Sequence, residues 1–304
     1  MKHSKSLAMA AAFIVMAVGG FGLSTQQTTR VSQAQPTQTT QQTSQNKKSI
    51  SQGHGGASGD VATHVAGQHL IVFVNTLQET IWLAAASNSG SILLPTTGWE
   101  LAANASLTVS IPDAWAGRFW GRTGCVFDTN GNGRCETGDC GNHFQCGGTV
   151  TGVPPATLAE FNMNADQGQD VYDVSMVDGS NLPLYINSFG QGQSDPISAN
   201  GCSNAGCTRD VNATCPEELR VLGSNGNVVG CLSACAKFGS PMYCCAGDVF
   251  SNPSQCNPAQ WPVNYAKIFK DAEPFAYSYA YDDRTSLFYC VDCNYKITFG
   301  VSST

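Results

Sequence analysis

Histidine is scarce in this sequence: there are five among 304 residues, and His143 is the only one beyond position 69. A Ser-His-Asp set or a histidine-based metal site needs imidazoles placed among its partners, and this chain does not supply them. Charge is sparse as well, at 12% of residues, and positive charge is the rarer kind, with 15 Lys and Arg against 22 Asp and Glu. The first 62 residues hold Lys2, Lys5, Arg30, Lys47 and Lys48 against Asp60 alone, which leaves ten basic and 21 acidic side chains for the rest. A nucleic-acid partner needs a basic face to neutralise phosphate, so nucleic acid is excluded; an acidic body suits neutral ligands, cations or basic partners. No glycine-rich phosphate cradle follows a strand pattern, so no nucleotide cofactor is expected. Beyond residue 18 no apolar run approaches the ~20 residues that span a bilayer, and stable membrane insertion is not expected. No internal repeat is visible.

The N-terminus carries its own address. Lys2, His3 and Lys5 precede an apolar run from Leu7 to Val18, and small residues (Gly19, Gly20, Gly22, Ser24) follow. That is the layout of a secretory signal peptide, predicted over 1–24. Residues 25–62 are rich in Gln, Thr and Ser, hold no aromatic side chain, and bury too little apolar surface to offset their ordering entropy; a disordered leader is predicted. The remaining 63–304 read as one domain.

Cysteine is what the chain has in quantity. All 14 lie between Cys125 and Cys293, and such density behind a signal peptide means disulfides in an oxidising compartment, hence a secreted, extracellular or cell-wall protein. No metal is expected: adjacent Cys244 and Cys245 are poor geometry for a shared ion. One competitor is the stretch DTNGNG at 128–133, with Asp139 twelfth from Asp128, which mimics a calcium loop; Cys135 and Cys140 lie inside and beside it, so disulfides rather than an ion are expected to set its shape.

Short alternating segments rich in β-branched and aromatic residues occur at 69–75, 80–83, 107–111, 117–122, 158–163, 171–177, 184–186 and 295–299. Gly, Pro, Asn and Asp punctuate them. They predict a mainly β fold, a β-sandwich or flattened barrel. Ten cysteines fall between Cys202 and Cys293, and a disulfide-rich subdomain of loops and short helices is predicted at about 201–274, with helix starts at 215–220 and 263–270. Trp99, Trp115, Phe119, Trp120, Tyr172 and Tyr185 are core candidates. Sequons at Asn104 and Asn212 are candidate glycosylation sites.

The stretch GNGRCETGDCGNHFQC at 131–146 closely resembles the signature of the thaumatin-like family, the pathogenesis-related group 5 or osmotin-like proteins. The resemblance continues through WGRTGC (120–125), PPATLAEF (154–161), DVYDVSMVDGSNLP (170–183), CPEELR (215–220), MYCC (242–245) and NYKITF (294–299), in order over about 68–300. It implies bridges Cys125–Cys135, Cys140–Cys146, Cys202–Cys290, Cys215–Cys231, Cys235–Cys244 and Cys245–Cys256. The family's first and last cysteines fall here at Leu77 and Gly300, so the bridge joining the chain ends loses both partners. Another family cysteine is replaced at Glu273. That frees Cys207, and a Cys207–Cys293 bridge is predicted in its place, the alternative being that Cys290 and Cys293 exchange partners.

The resemblance also implies a cleft lined by one Arg, one Glu and three Asp. Four fall on Arg118, Glu160, Asp173 and Asp178, and the fifth on Phe275. Tyr277, Asp282 and Asp283 are candidates to compensate. Alternation puts Tyr172 and Asp170 on the strand face opposite Asp173. Arg118 is expected to form a salt bridge with one of the acids. Of the two candidate catalytic groups, Glu160 is expected to be the protonated acid and Asp173 the charged partner. The function implied is a secreted, monomeric defence or cell-wall protein, antifungal in the family's manner, that binds β-1,3-glucan. The alternatives are a weak endo-β-1,3-glucanase using Glu160 and Asp173, and an inhibitor or protein-binding module.

Overall fold

The computed structural model describes residues 67–166, 168–190, 205–206, 209–246 and 255–302. The predicted signal peptide and leader, Cys202 and Cys207 lie outside them. The strands in chain order are β1 Gln68–Asn75, β2 Ile81–Ser87, β3 Gly98–Leu101, β4 Ser106–Pro112, β5 Ala116–Arg122, β6 Val126–Phe127 and β7 Gly133–Arg134. They continue with β8 Leu158–Asp166, β9 Gln169–Ser175, β10 Leu184–Phe189, β11 Arg220–Leu222, β12 Val228–Cys231, β13 Leu287–Cys290 and β14 Asn294–Phe299.

Two sheets make a sandwich. One has the order β10-β14-β1-β4, with β1 and β14 parallel and the other pairs antiparallel. The other is antiparallel throughout, in the order β13-β9-β8-β5-β2-β3. Their inner faces interdigitate: Phe73 of β1 meets Phe119 of β5 edge-on at 5.1 Å, and Tyr295 of β14 meets Phe161 of β8 at 5.0 Å. The period-2 pattern explains this, since Ile71 and Phe73, Phe119 and Phe161, and Tyr172 and Val174 all turn inward and are buried. Trp115, Trp120 and Tyr172 are buried, whereas Trp99 is partly buried against the core and Tyr185 is half-buried. Asp170 faces inward with Tyr172 and accepts a 2.7 Å hydrogen bond from the Tyr295 hydroxyl.

The outer face of the six-stranded sheet is partly covered too. Ala84, Ala86, Trp120 and Leu158 pack beneath the Cys140–Cys146 loop, and the Trp120 indole donates to the Gly138 carbonyl at 2.8 Å. A Cβ on Gly152 would stand 2.7 Å from that indole nitrogen, so only glycine admits this approach. Arg122 is fully buried below the same loop and donates to the carbonyls of Trp82, Leu83, His143 and Phe144. Burial lowers its pKa to about 10, still high enough to keep the charge.

The Cys-rich part holds α1 Ala234–Phe238, α2 Pro241–Cys244 and α3 Tyr265–Ala272, the last capped by Asn264, and α4 Asp283–Ser286 follows. The predicted helix at 215–220 forms only one 3-10 turn, Glu217–Leu219. Arg220 turns extended and pairs with Cys231, whose bridge to Cys215 draws the segment into a β-ribbon. Sequence periodicity also passes over β3 and β13.

Five implied bridges are present: Cys125–Cys135, Cys140–Cys146, Cys215–Cys231, Cys235–Cys244 and Cys245–Cys256. The expected Cys202–Cys290 and Cys207–Cys293 pairs are corrected, because Cys290 bonds to Cys293. β13 ends at Cys290 and β14 begins at Asn294, with Asp292 turning the chain at φ 52°. That leaves the two Cα atoms 6.0 Å apart, within bridging distance. The calcium reading of 128–139 is also answered locally. The carboxylates of Asp128 and Asp139 accept from the backbone amides of Asn130, Asn132, Cys135 and Asn142, so hydrogen bonds beside the disulfides shape this loop. Of the two sequons, Asn104 is exposed in a left-handed turn, while the Asn212 amide is committed to the Asn181 carbonyl at 3.0 Å.

In place of the missing terminal bridge, the chain ends are tied by backbone. β1 runs parallel to β14, and both the amide and hydroxyl of Thr76 donate to the Phe299 carbonyl, at 2.9 and 3.0 Å. Gly300, at φ 136°, makes room for this: a Cβ there would lie 1.9 Å from the Thr76 hydroxyl. Gly300→Ala is therefore expected to destabilise the domain by about 2 kcal/mol, from backbone strain plus the lost hydrogen bond. Thermal unfolding checks this, with a smaller loss expected in a Thr76→Ala background.

Candidate functional site

The site is built by strand register. Arg118 on β5 lies directly opposite Glu160 on β8, and Glu160 lies directly opposite Asp173 on β9. Ala86 of β2 and Leu287 of β13 extend the same line at either end. Because Phe119, Phe161 and Tyr172 alternate inward, these three charged residues all stand on the outer face. Directly opposite residues hold their Cβ atoms ~4.5–5.5 Å apart, and like charges so placed repel. The Glu160–Asp173 pair is therefore a local cost that the fold retains.

Each member is held differently. Arg118 Nε lies 3.5 Å from Glu160 Oε1, and its Nη2 donates to Asn88 Oδ1 at 3.3 Å. The Arg118 and Glu160 side chains are 13% and 22% exposed, so the pair is only lightly screened. Burial raises the pKa of Glu160. Arg118 opposes the rise, Asp178 adds to it, and a hydrogen bond with the Ser175 side chain opposes it. For Asp173 the help is weaker: burial first, then the neighbouring Glu160, push its pKa well above the usual carboxylate range, Arg118 opposes the rise through its field, and Asp283 adds to it. Its Oδ1 is buried without a hydrogen-bond partner. Asp178 follows β9, and burial raises its pKa while Arg118 opposes the rise.

Glu160 has the arginine and a hydroxyl to favour its charged form, and Asp173 has neither at contact distance. Burial and mutual repulsion raise both carboxyls, and the groups at contact distance favour the charged form of Glu160 over that of Asp173.

The far wall is a second lesson in register. Tyr277 lies beside the end of β9: its amide donates to the Val174 carbonyl, and its own carbonyl accepts from Met176, both at 2.8 Å. Its hydroxyl donates to Asp283 Oδ1 at 2.7 Å. Burial, then the charge of Asp173, raise its pKa, so the phenol is a fixed hydroxyl at any ordinary pH. Lys270 of α3 fixes this wall with one ammonium that donates to the Ala276 carbonyl (2.9 Å) and the Ser286 hydroxyl (2.8 Å) and pairs with Asp282 (2.9 Å). Asp282 is thereby committed, also accepting from the amide and hydroxyl of Ser278. Asp283 is the acid whose field reaches Asp173. Phe275, at the expected fifth position, is half-buried, and its carbonyl accepts from the Gly206 amide at 3.0 Å.

Two participants escaped the sequence. Ser175 was within reach, lying two residues from Asp173 and so on the same strand face. Lys270 carried no signal, since its three acceptors lie 6 to 16 residues away in an irregular turn. Among the described residues no cluster suited to a metal ion occurs.

Comparison with known proteins finds relatives over most of the chain. The thaumatin family model matches residues 75–301. Pathogenesis-related thaumatin-like protein 3.5 of Cryptomeria japonica is 46% identical over 238 residues, covering 78% of this chain and 92% of the relative. Pathogenesis-related protein 5 of Arabidopsis thaliana is 48% identical over 225 residues, covering 74% and 87%. A protein named glucan endo-1,3-beta-glucosidase from Prunus avium is 47% identical over 231 residues, covering 75% and 89%. The chain belongs to the thaumatin family.

The buried carboxyl pair has a consequence for stability. A folded state that holds a proton more tightly than the unfolded chain loses stability as pH rises from the ordinary carboxylate pKa towards the raised one. Asp173→Asn removes that loss. It is expected to stabilise the domain at pH 7 by about 1 kcal/mol or more, since one unit of raised pKa corresponds to ~1.4 kcal/mol, and by little near pH 3.5. Urea unfolding at both pH values checks this; a gain that is the same at each would show that Asp173 titrates normally.

Proposed function

We propose that the outer face of the six-stranded sheet binds a neutral β-1,3-glucan chain, with Arg118, Glu160, Asp173 and Asp178 as its polar floor and Tyr277 and Asp283 as the adjoining wall. The observation that carries this reading is the unpartnered, buried Oδ1 of Asp173 at the centre of the row. A protonated Asp173 can both donate and accept, which is what a sugar hydroxyl requires, and burying an unmet polar group is costly unless a ligand completes it. The acidic balance of the domain favours an uncharged polysaccharide over an anionic one. Membership of the family supports the substrate class, and the name of the Prunus avium relative points the same way. The N-terminal apolar run and the disulfides suit a secreted, extracellular or cell-wall protein of the defence type.

A second reading, weak hydrolysis, is favoured by one observation: two buried carboxyls stand directly opposite on adjacent strands, and an arginine contacts only Glu160. A glycosidase needs one carboxyl protonated as acid and a second ionised as base or nucleophile. In this reading Asp173 protonates the leaving oxygen and Glu160 is the base or nucleophile.

Binding is tested by retention on insoluble β-1,3-glucan, chitin and cellulose. Wild type is expected on β-1,3-glucan, with at least tenfold weaker retention for Glu160→Gln/Asp173→Asn. Equal retention of both would remove the row from the binding site. Release of reducing ends from linear glucan, lost in Glu160→Gln, would add catalysis; no release at high protein concentration would confine the function to binding.

A further inference from the structure

A groove of about 810 Å3 opens at the other end of the same sheet face. That volume lies in the range of small-molecule sites. Trp82 of β2 lies at its base, directly opposite Glu100 on β3 and Arg122 on β5. Four residues of β5 separate Arg118 from Arg122, ~13 Å along a strand, and the buried Trp120 and its covering loop stand between. The groove is thus distinct from the carboxylate row.

Its wall is aromatic. Phe127 meets Trp82 with ring centres 6.5 Å apart at 64°, and Phe144 meets Phe127 at 5.4 Å and 84°. All three rings are partly exposed, and Val126 at the rim is 75% exposed. The rings are not free to collapse. The Arg122 guanidinium lies 5.3 Å from the centre of Phe127 and 6.0 Å from that of Phe144, and its donors are committed to backbone carbonyls behind them. The Cys125–Cys135 and Cys140–Cys146 bridges fix the two loops that carry the phenylalanines. At the rim, the side chains of Glu100 and His143 are exposed. Gln145 lies over the β3 edge, donating to the Gly98 carbonyl at 2.8 Å, so that edge does not present an open ladder to an added strand.

We propose that this groove is a second carbohydrate site, taking a neutral pyranose chain that lays its C–H face on Trp82, with Phe127 as the side wall, and bonds its hydroxyls to Glu100 and His143. The C–H hydrogens of a sugar ring carry slight positive charge and suit the negative face of an aromatic ring. With Arg122 buried, the exposed charged groups lining the groove are the carboxylates of Glu100 and Asp128, which disfavours an anionic chain. A pre-organised wall binds without an ordering cost.

The test titrates a β-1,3-linked glucose hexasaccharide into the chain by calorimetry, with the indole N–H resonances followed by NMR. Wild type is expected to bind two hexasaccharides, and Glu160→Gln/Asp173→Asn to bind one. Adding Trp82→Ala to that variant is expected to weaken the remaining site by about tenfold, while Trp82→Phe stays within about threefold. Glu100→Ala, at an exposed position, is expected to weaken it by about threefold without disturbing the fold, and the Trp82 resonance is expected to move in the unmutated chain. If wild type binds one hexasaccharide through Trp82 and the carboxylate variant is unaffected, the groove stands and the carboxylate reading falls. The groove is overturned if the carboxylate variant binds nothing, if residual binding ignores Trp82 and Glu100, or if a galacturonate hexasaccharide or an apolar peptide binds there in place of the neutral sugar.

Discussion

Two carboxyls set directly opposite one another on adjacent strands are the constraint around which the outer sheet face is organised. Register between β8 and β9 leaves Glu160 and Asp173 no distance to separate, and register between β5 and β8 supplies a single guanidinium on one side. The arginine contacts Glu160 and acts on Asp173 only through its field, so the row is electrically uneven: one end is paired and the other is met by a second acid, Asp283. A sheet selected for stability alone would not place three ionisable groups in line and leave one buried oxygen unmet.

The surrounding structure makes that arrangement tolerable. The inner face of the same three strands offers Phe119, Phe161 and Tyr172 to one continuous aromatic core, so the strands are held in register from below regardless of what stands above. Lys270 and Tyr277 hold the wall beyond Asp173 at fixed positions, and the disulfides tie down the loops that flank the sheet. Rigidity of this kind is needed if a destabilising pair is to keep its geometry without ligand.

Most of the sandwich was legible because its strands alternate. In β1, β9 and β14 the period of two separates inward from outward residues without help, and Tyr172 falls behind Asp173 as the pattern requires. β3 and β13 were not legible: each is four residues long, and Leu-Phe-Tyr-Cys in β13 shows no alternation. The helix signal at 215–220 was real in propensity but lost to the Cys215–Cys231 bridge, a contact no local pattern carries. The pairing of Cys290 with Cys293 depended on where two strands end, which the spacing of cysteines does not reveal.

The residues of the row were legible through resemblance, but their roles were not. Proximity of two carboxyls says that one pKa rises; which one depends on where Arg118 and Ser175 point, and only the register and side-chain geometry decide that. Asp283 likewise has no sequence signal separating it from Asp282, yet one faces Asp173 and the other is bound to Lys270. The most direct measurement is a carbon-13 NMR titration of the carboxyls of Glu160 and Asp173 in the folded chain. Both are expected to titrate above the ordinary carboxylate range with Asp173 the higher. Two independent titrations near the ordinary value of about 4, or a Glu160 that holds its proton longer than Asp173, would contradict the account.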